Sequence, residues 1–165
     1  MKLYGCEARA WSATCSAFKL SDNAILQLGG MLISIMGYQY PSNNDLWDGD
    51  WLVVRAELAA PRCRVDRVGP FARTTELAGF TEDLSSFSRL ETDSAKLDCL
   101  EPYCSNSAAR NGSLGAMRVG VSLTRNIANQ THHLSFLGDK SELTTHHDDI
   151  KRVHGRYPVR GERDA

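Results

Sequence analysis

The sequence has no excess of charge of one sign and no long hydrophobic run. Its 165 residues hold 19 Lys and Arg against 20 Asp and Glu, a net charge of −1 that excludes a strongly basic nucleic-acid-binding protein. The most apolar stretch, 29–38, is far shorter than the roughly 20 residues that span a membrane. Glu7 and Arg9 interrupt the apolar run that a secretory signal needs. We therefore expect a cytoplasmic protein with no membrane partner.

The motifs of the common enzyme chemistries are also missing. The sequence contains no GxGxxG or GxxxxGK(S/T) loop for nucleotides, no GxSxG nucleophile and no HExxH zinc motif. Five cysteines are present, but no two of them have CxxC spacing, which favours reduced thiols over a zinc site. We predict no catalytic residues, no metal site and no cofactor.

Periodic patterns predict strands on both sides of a central helix. Apolar and polar residues alternate over 52–58 and again over 117–123, as expected for half-buried strands. The apolar residues between them follow one helical stripe: Leu77, Phe80, Leu84 and Phe87. A second apolar helix face lies near the C-terminus: Ile150, Val153 and Tyr157.

The order of these elements predicts the fold class. Neighbouring parallel strands need a crossover helix, and only one helix lies mid-chain, so the sheet should be mostly antiparallel. We predict an α+β fold: a mostly antiparallel curved sheet of about six to seven strands, with one mid-chain helix and one C-terminal helix. A single domain is expected over 23–158, preceded by an N-terminal extension over 1–22 and followed by a solvated tail over 159–165.

The densest group of functional side chains lies between the predicted strands. Asp45, Trp47, Asp48 and Asp50 fall within six residues that contain no Lys or Arg. Four interpretations are open: a calcium loop, although EF-hand spacing is absent; a carboxylate pair for acid–base catalysis; an acidic and aromatic recognition surface; or a hairpin connection whose tryptophans pack on the core.

Histidines and arginines form two weaker groups. The histidines occur in adjacent pairs, and neighbouring side chains diverge, so a metal site would have to combine His132 or His133 with His147 and Asp148. Solvated histidine pairs are favoured over that site. Five arginines lie over 55–73, but the balanced overall charge favours a solvated sheet face over direct nucleic-acid binding.

Four short motifs together resemble a family of small bacterial proteins. They are GYQYP at 37–41, WDGDWL at 47–52, TTEL at 74–77 and EP at 101–102. Their order is similar to that of the WapI-type immunity proteins, which are linked to contact-dependent toxins. The resemblance covers roughly 24–158, and Asp50 stands where the family favours Asn. It implies a cytoplasmic antidote that binds a cognate toxin and blocks it, and it supplies no catalytic residues.

The acidic and aromatic group is compatible with that role. An inhibitor of a nuclease toxin can present carboxylates to a basic active site and add aromatic anchors. We therefore predict that Asp45, Trp47, Asp48 and Asp50 bind the toxin. Two alternatives stay open: a domain with a structural or housekeeping binding role, and a metal-dependent hydrolase that uses the histidine pairs or the acidic residues.

Overall fold

A computed structural model describes residues 25–45, 47–112 and 116–161 of the chain. The predicted extension over 1–22 lies outside these residues. The first part of the described chain forms a four-stranded antiparallel sheet in sequential order. Its strands are β1 Ile25–Leu28, β2 Met31–Tyr38, β3 Trp51–Ala60 and β4 Cys63–Arg73.

A second four-stranded antiparallel sheet follows, also in sequential order. Its strands are β5 Ser94–Asp98, β6 Cys104–Arg110, β7 Met117–Asn126 and β8 Gln130–Gly138. Helix α1, Thr74–Ser88, joins the two sheets, and helix α2, Lys140–Arg156, follows the second. The described chain therefore repeats one unit twice: four meandering strands and then a helix.

The predicted α+β class is confirmed, but the strand arrangement differs from the expectation. The described residues form eight strands in two sheets, where one sheet of six to seven strands was predicted. Strand β6 was missed because its sequence, CSNSAAR, lacks the branched and aromatic residues that mark a strand. Alternation of side chains also says nothing about which strands pair, so the division into two sheets was not visible in the sequence.

The two helices pack against each other, and each also packs on the sheet that it does not directly follow in the sequence. Helix α1 follows the first sheet but packs on β5 of the second, and α2 follows the second sheet but packs on β1 of the first. The predicted apolar stripe of α1 is confirmed, since all four of its residues are buried: Leu77, Phe80, Leu84 and Phe87. This arrangement brings the start of α1 and the end of α2 close to the connection between β2 and β3.

Candidate protein-binding loop

The connection between β2 and β3 holds the residues that the sequence singled out. The backbone N–H of Gln39 donates to the Trp51 carbonyl at 2.8 Å and closes the base of this connection. A tight turn follows, in which the Asn43 N–H donates to the Tyr40 carbonyl at 3.1 Å. The residues after this turn, 45–50, are called the acidic loop below.

Asp45 organises the acidic loop. Its Oδ1 atom accepts hydrogen bonds from the backbone N–H groups of Trp47 at 2.8 Å and Asp48 at 2.6 Å. Its own N–H donates to Oδ1 of Asn43 at 3.0 Å, and its carbonyl accepts from the Gly49 N–H at 3.0 Å. The Asp48 N–H, with smaller contributions from its neighbours, lowers the pKa of Asp45 below its ordinary value. Asp45 is therefore a charged side chain fixed by the local backbone.

Gly49 allows the loop to close this tightly. A Cβ atom at this position would lie 2.5 Å from the Asp45 carbonyl oxygen and 2.7 Å from the Asn43 carbonyl oxygen. Both distances are shorter than real Cβ contacts, and both neighbours are backbone atoms that cannot rotate away. The loop conformation therefore requires glycine here.

Three of the four predicted residues lie at the surface. Asp45 and Asp48 are exposed, and the Trp47 side chain is 74% exposed. The interpretation that both tryptophans pack on the core is wrong for Trp47. The half-buried Trp51 instead lies beneath Arg73, whose guanidinium carbon is 5.7 Å from the ring centroid.

The fourth residue, Asp50, is placed inside the protein. Its side chain is fully buried, and its Oδ1 accepts hydrogen bonds from Thr74 Oγ1 at 2.6 Å and from the Arg160 N–H at 2.7 Å. The Thr74 N–H also donates to the Asp50 carbonyl at 3.1 Å. Because Thr74 is the first residue of α1, the carboxylate lies at the positive end of that helix. Asp50 thus fixes the end of the acidic loop to the start of α1 and to the segment after α2.

Arg160 is a contributor to this region that sequence reasoning missed. Its Nη1 atom lies within hydrogen-bond distance of three backbone carbonyls, at 3.1, 3.0 and 2.9 Å: Tyr40, Pro41 and Asn43. Its guanidinium carbon is 3.3 Å from the centroid of the Tyr38 ring. Arg160 falls in the segment expected to be a solvated tail, and no motif or spacing connects it with residues more than a hundred positions earlier.

Tyr38 and the end of α2 hold this C-terminal segment in place. The Tyr38 hydroxyl donates to the Pro158 carbonyl at 2.5 Å, and its ring meets the Tyr157 ring edge-on at 5.6 Å. Burial raises the pKa of Tyr38 above its ordinary value, and the Arg160 cation opposes part of that shift. The phenol therefore stays protonated and can donate.

Links of this kind connect three of the four motifs that carry the family resemblance to distant parts of the chain: GYQYP, WDGDWL and TTEL. Besides the bond between Asp50 and Thr74, the Glu76 side chain accepts the N–H of Arg73 at 2.9 Å and that of Leu100 at 2.8 Å. Tyr38 reaches Pro158 as described above. These motifs thus mark junctions of the fold, and one of them, WDGDWL at 47–52, also contains the exposed Trp47 and Asp48.

The histidines whose side chains the structure describes do not converge on a shared site. His132 points to the inner side of β8 and is half-buried, while His133 is exposed. His147 lies on α2, where its Nε2 is 2.8 Å from Ser85 Oγ on α1, and its Nδ1 is 4.0 Å from an Asp148 oxygen. Within the described ranges, no three His, Cys, Asp or Glu side chains are grouped so that they could hold a metal ion.

The arginines on β3 and β4 make contacts within the protein. Arg64 pairs with Glu57 at 2.8 Å, and Arg55 lies 3.8 Å from an Asp66 oxygen. The Arg67 guanidinium carbon is 3.4 Å from the Tyr103 ring centroid, and its Nη1 donates to a carbonyl of the second sheet at 2.6 Å. Arg55 and Arg64 thus pair with carboxylates, whereas Arg67 packs against the second sheet.

Two further properties concern membranes and thiols. No helix in the described part of the chain is long and apolar enough to cross a membrane. Cys99 and Cys104 are buried free thiols, and Cys63 is a half-buried one.

Comparisons with known proteins give one family and one weak structural likeness. The family model described as "Immunity protein WapI-like family" matches residues 26–158. The search of curated proteins found no match. Among solved structures, the chain is similar to one titled "Crystal structures of trypanosoma bruciei MRP1/MRP2", with a TM-score of 0.42 and 11% identity over 78% of this chain and 76% of that chain.

Proposed function

The chain belongs to the immunity protein WapI-like family, and from that premise we propose that it binds a cognate bacterial toxin in the cytoplasm and neutralises it by direct contact. The observation that carries the proposal is the position of Trp47. Its side chain is 74% exposed on a turn fixed by Asp45, and carboxylates lie on both sides of it. Membership in an immunity family also favours a role without catalysis.

A fixed and exposed tryptophan is suited to anchor a complex. Tryptophan is among the residues most enriched at the energetic centres of interfaces. Because the Trp47 N–H is already bound to Asp45, its backbone loses little freedom when a partner covers the ring. We expect the toxin to supply an apolar pocket for this ring.

The carboxylates define the charge of the expected partner. Asp45 and Asp48 are exposed on both sides of Trp47, and the loop contains no Lys or Arg. Such an arrangement attracts a basic surface and accelerates association with it. The groove of a nuclease, which must itself attract phosphates, has this charge. We propose a toxin whose contact surface is basic around an apolar pocket.

The bonds of the loop fit binding better than proton transfer. One oxygen of Asp45 accepts two backbone N–H groups, and these bonds lower the pKa of the carboxyl. A general acid or base at neutral pH needs the opposite shift. The geometry therefore favours a fixed negative charge on a recognition surface.

The test is protection of cells by co-expression. Cells that produce the product of the gene adjacent to that of this chain should survive when the wild-type protein is present. Trp47→Ala and Asp48→Asn should reduce survival, while Leu137→Ala should not, although Leu137 is similarly exposed at 68% on β8. Full protection by both loop variants would place the contact surface elsewhere. No protection by the wild-type protein would contradict the function.

A further inference from the structure

We propose that Arg160 is a positioning residue for toxin binding, which sets the conformation of the acidic loop from the C-terminal segment. This inference rests on the proposed function of the loop. In this role Arg160 does not itself contact the toxin. It holds Trp47 and its flanking carboxylates in the conformation that the toxin binds.

Arg160 contacts the β2–β3 connection from two directions. Its backbone N–H donates to Oδ1 of the buried Asp50 at 2.7 Å, at the end of the acidic loop. Its guanidinium lies 2.9–3.1 Å from three carbonyl oxygens of the turn before the loop: Tyr40, Pro41 and Asn43. One residue thus bonds to the chain on both sides of Trp47.

The guanidinium is itself held in place. Its carbon lies 3.3 Å from the Tyr38 ring centroid, a distance at which a cation is attracted to the ring face. The Tyr38 hydroxyl also binds the Pro158 carbonyl at 2.5 Å, and Tyr157 continues the hydrogen bonding of α2 through the Val153 carbonyl at 2.8 Å. The segment after α2 therefore has a defined path from the helix to Arg160.

A short series of hydrogen bonds connects Arg160 with Trp47. Arg160 binds the carbonyl of Asn43 at 2.9 Å, and the Asn43 side chain accepts the Asp45 N–H at 3.0 Å. The Asp45 side chain then accepts the N–H groups of Trp47 at 2.8 Å and Asp48 at 2.6 Å. Only Asn43 and Asp45 lie between the arginine and the exposed anchor.

The guanidinium supplies a charged donor to these carbonyls. Three carbonyl oxygens lie around Nη1, whose two N–H groups they share, and the group is planar and permanently charged. Without it, the three carbonyl oxygens would lose their charged donor and the turn would lose its link to the C-terminal segment, so the loop would sample more conformations. Toxin binding would then have to supply the free energy of ordering the loop.

If Arg160 acted only through its charge, its removal would change the affinity for the toxin in the opposite direction. The sign of the change in affinity therefore tests the inference. Removing the positive charge beside the 40–43 turn makes this end of the protein more negative. A basic toxin should then associate faster and bind more tightly if Arg160 acted only through its charge. If Arg160 acts by positioning, binding should weaken despite the more favourable charge.

The experiment compares Arg160→Met with Arg118→Met. Methionine keeps the backbone N–H and an unbranched apolar stem but lacks the guanidinium. Arg118 is exposed on the second sheet, so its variant removes one charge away from the loop. Hydrogen exchange of peptides over 39–50 is measured in the free proteins, and affinity for the purified product of the adjacent gene is measured by calorimetry.

We expect Arg160→Met to accelerate exchange over 39–50 by about tenfold and to weaken affinity by about tenfold, while Arg118→Met changes neither quantity as much. Arg160→Lys, which keeps the charge, should give a smaller loss of the same sign. It provides the comparison if the methionine variant unfolds.

The outcomes separate the two proposals. Unchanged exchange over 39–50 in both Arg160 variants would overturn the positioning role, whatever the toxin does. Faster exchange with equal or tighter affinity would show that loop order does not serve binding and would also overturn it. If the wild-type protein does not bind the adjacent gene product, the proposed function fails, and the exchange measurement alone then decides whether Arg160 orders the loop.

Discussion

The Oδ1 atom of Asp50 lies 2.6 Å from Oγ1 of Thr74 and joins the end of the acidic loop to the start of α1. Both side chains are buried, so the bond is shielded from water. The Thr74 N–H adds a second bond to the Asp50 carbonyl at 3.1 Å. The base of the loop is therefore fixed to the core through the first turn of the helix.

Asp50→Ala should destabilise the protein strongly. The substitution leaves the Thr74 hydroxyl and the Arg160 N–H without their acceptor, and we expect a loss of about 2–4 kcal/mol in the free energy of unfolding. Asp50→Asn keeps an acceptor oxygen and should cost much less. Urea unfolding measures both, with Asp48→Ala as the exposed control. An Asp50→Ala protein as stable as the wild type would contradict the structural role.

Reversal of the charge at Asp48 should slow toxin association. Asp48→Lys opposes the attraction of a basic surface, and we expect the association rate constant to fall by about tenfold at low salt and by less at high salt. Stopped-flow measurements with the adjacent gene product test this. Asp93→Lys is the control, since Asp93 is 96% exposed beyond the far end of α1. If both variants slowed association equally, the acidic loop would have no specific role in attracting the toxin.

Replacement of Asn106 by leucine should stabilise the fold. Asn106 is 1% exposed on β6, and within the described residues neither its Nδ2 nor its Oδ1 has a hydrogen-bond partner. An apolar side chain of similar size removes the cost of burying these two groups, so we expect a gain of about 1–2 kcal/mol. Thermal and urea unfolding measure the gain. Asn129→Leu, at an exposed turn, should give none. A loss of stability in the Asn106 variant would indicate that the amide is hydrogen-bonded in solution.

Cys99 should resist alkylation in the native protein. The adjacent Cys104 thiol and burial raise the pKa of Cys99 well above its ordinary value, so the reactive thiolate is scarce even in mildly alkaline solution. Peptide mass spectrometry after iodoacetamide treatment should find Cys63 labelled before Cys99, because Cys63 is half-buried. In denaturant, Cys63 and Cys99 should be labelled at similar rates. Rapid native labelling of Cys99 at pH 8 would contradict the structure.

Local patterns predicted much of the fold because they depend on neighbouring residues. The stripe of α1 from Leu77 to Phe87 is buried as its helical spacing indicated. Strand β6 was not predicted, since its small polar residues owe their place to pairing with β5 and β7. The division into two sheets likewise depends on contacts between distant parts of the chain.

In the candidate site, too, the features set by neighbouring residues could be predicted and those set by distant residues could not. Asp45, Trp47 and Asp48 lie together at the surface because one turn of the chain holds them. The burial of Asp50 depends on Thr74 and Arg160, which are 24 and 110 residues away in sequence. Spacing in one sequence contains no information on such bonds, so neither the role of Asp50 nor that of Arg160 could be predicted.

The most direct test of the proposed function is titration calorimetry of the wild-type protein with the purified product of the adjacent gene. We predict a saturable complex with a dissociation constant of about 10 nM or less, weakened by Trp47→Ala by about 2 kcal/mol, or roughly thirtyfold. Absence of heat of binding across the titration, or equal affinity for the wild-type protein and Trp47→Ala, would contradict the account.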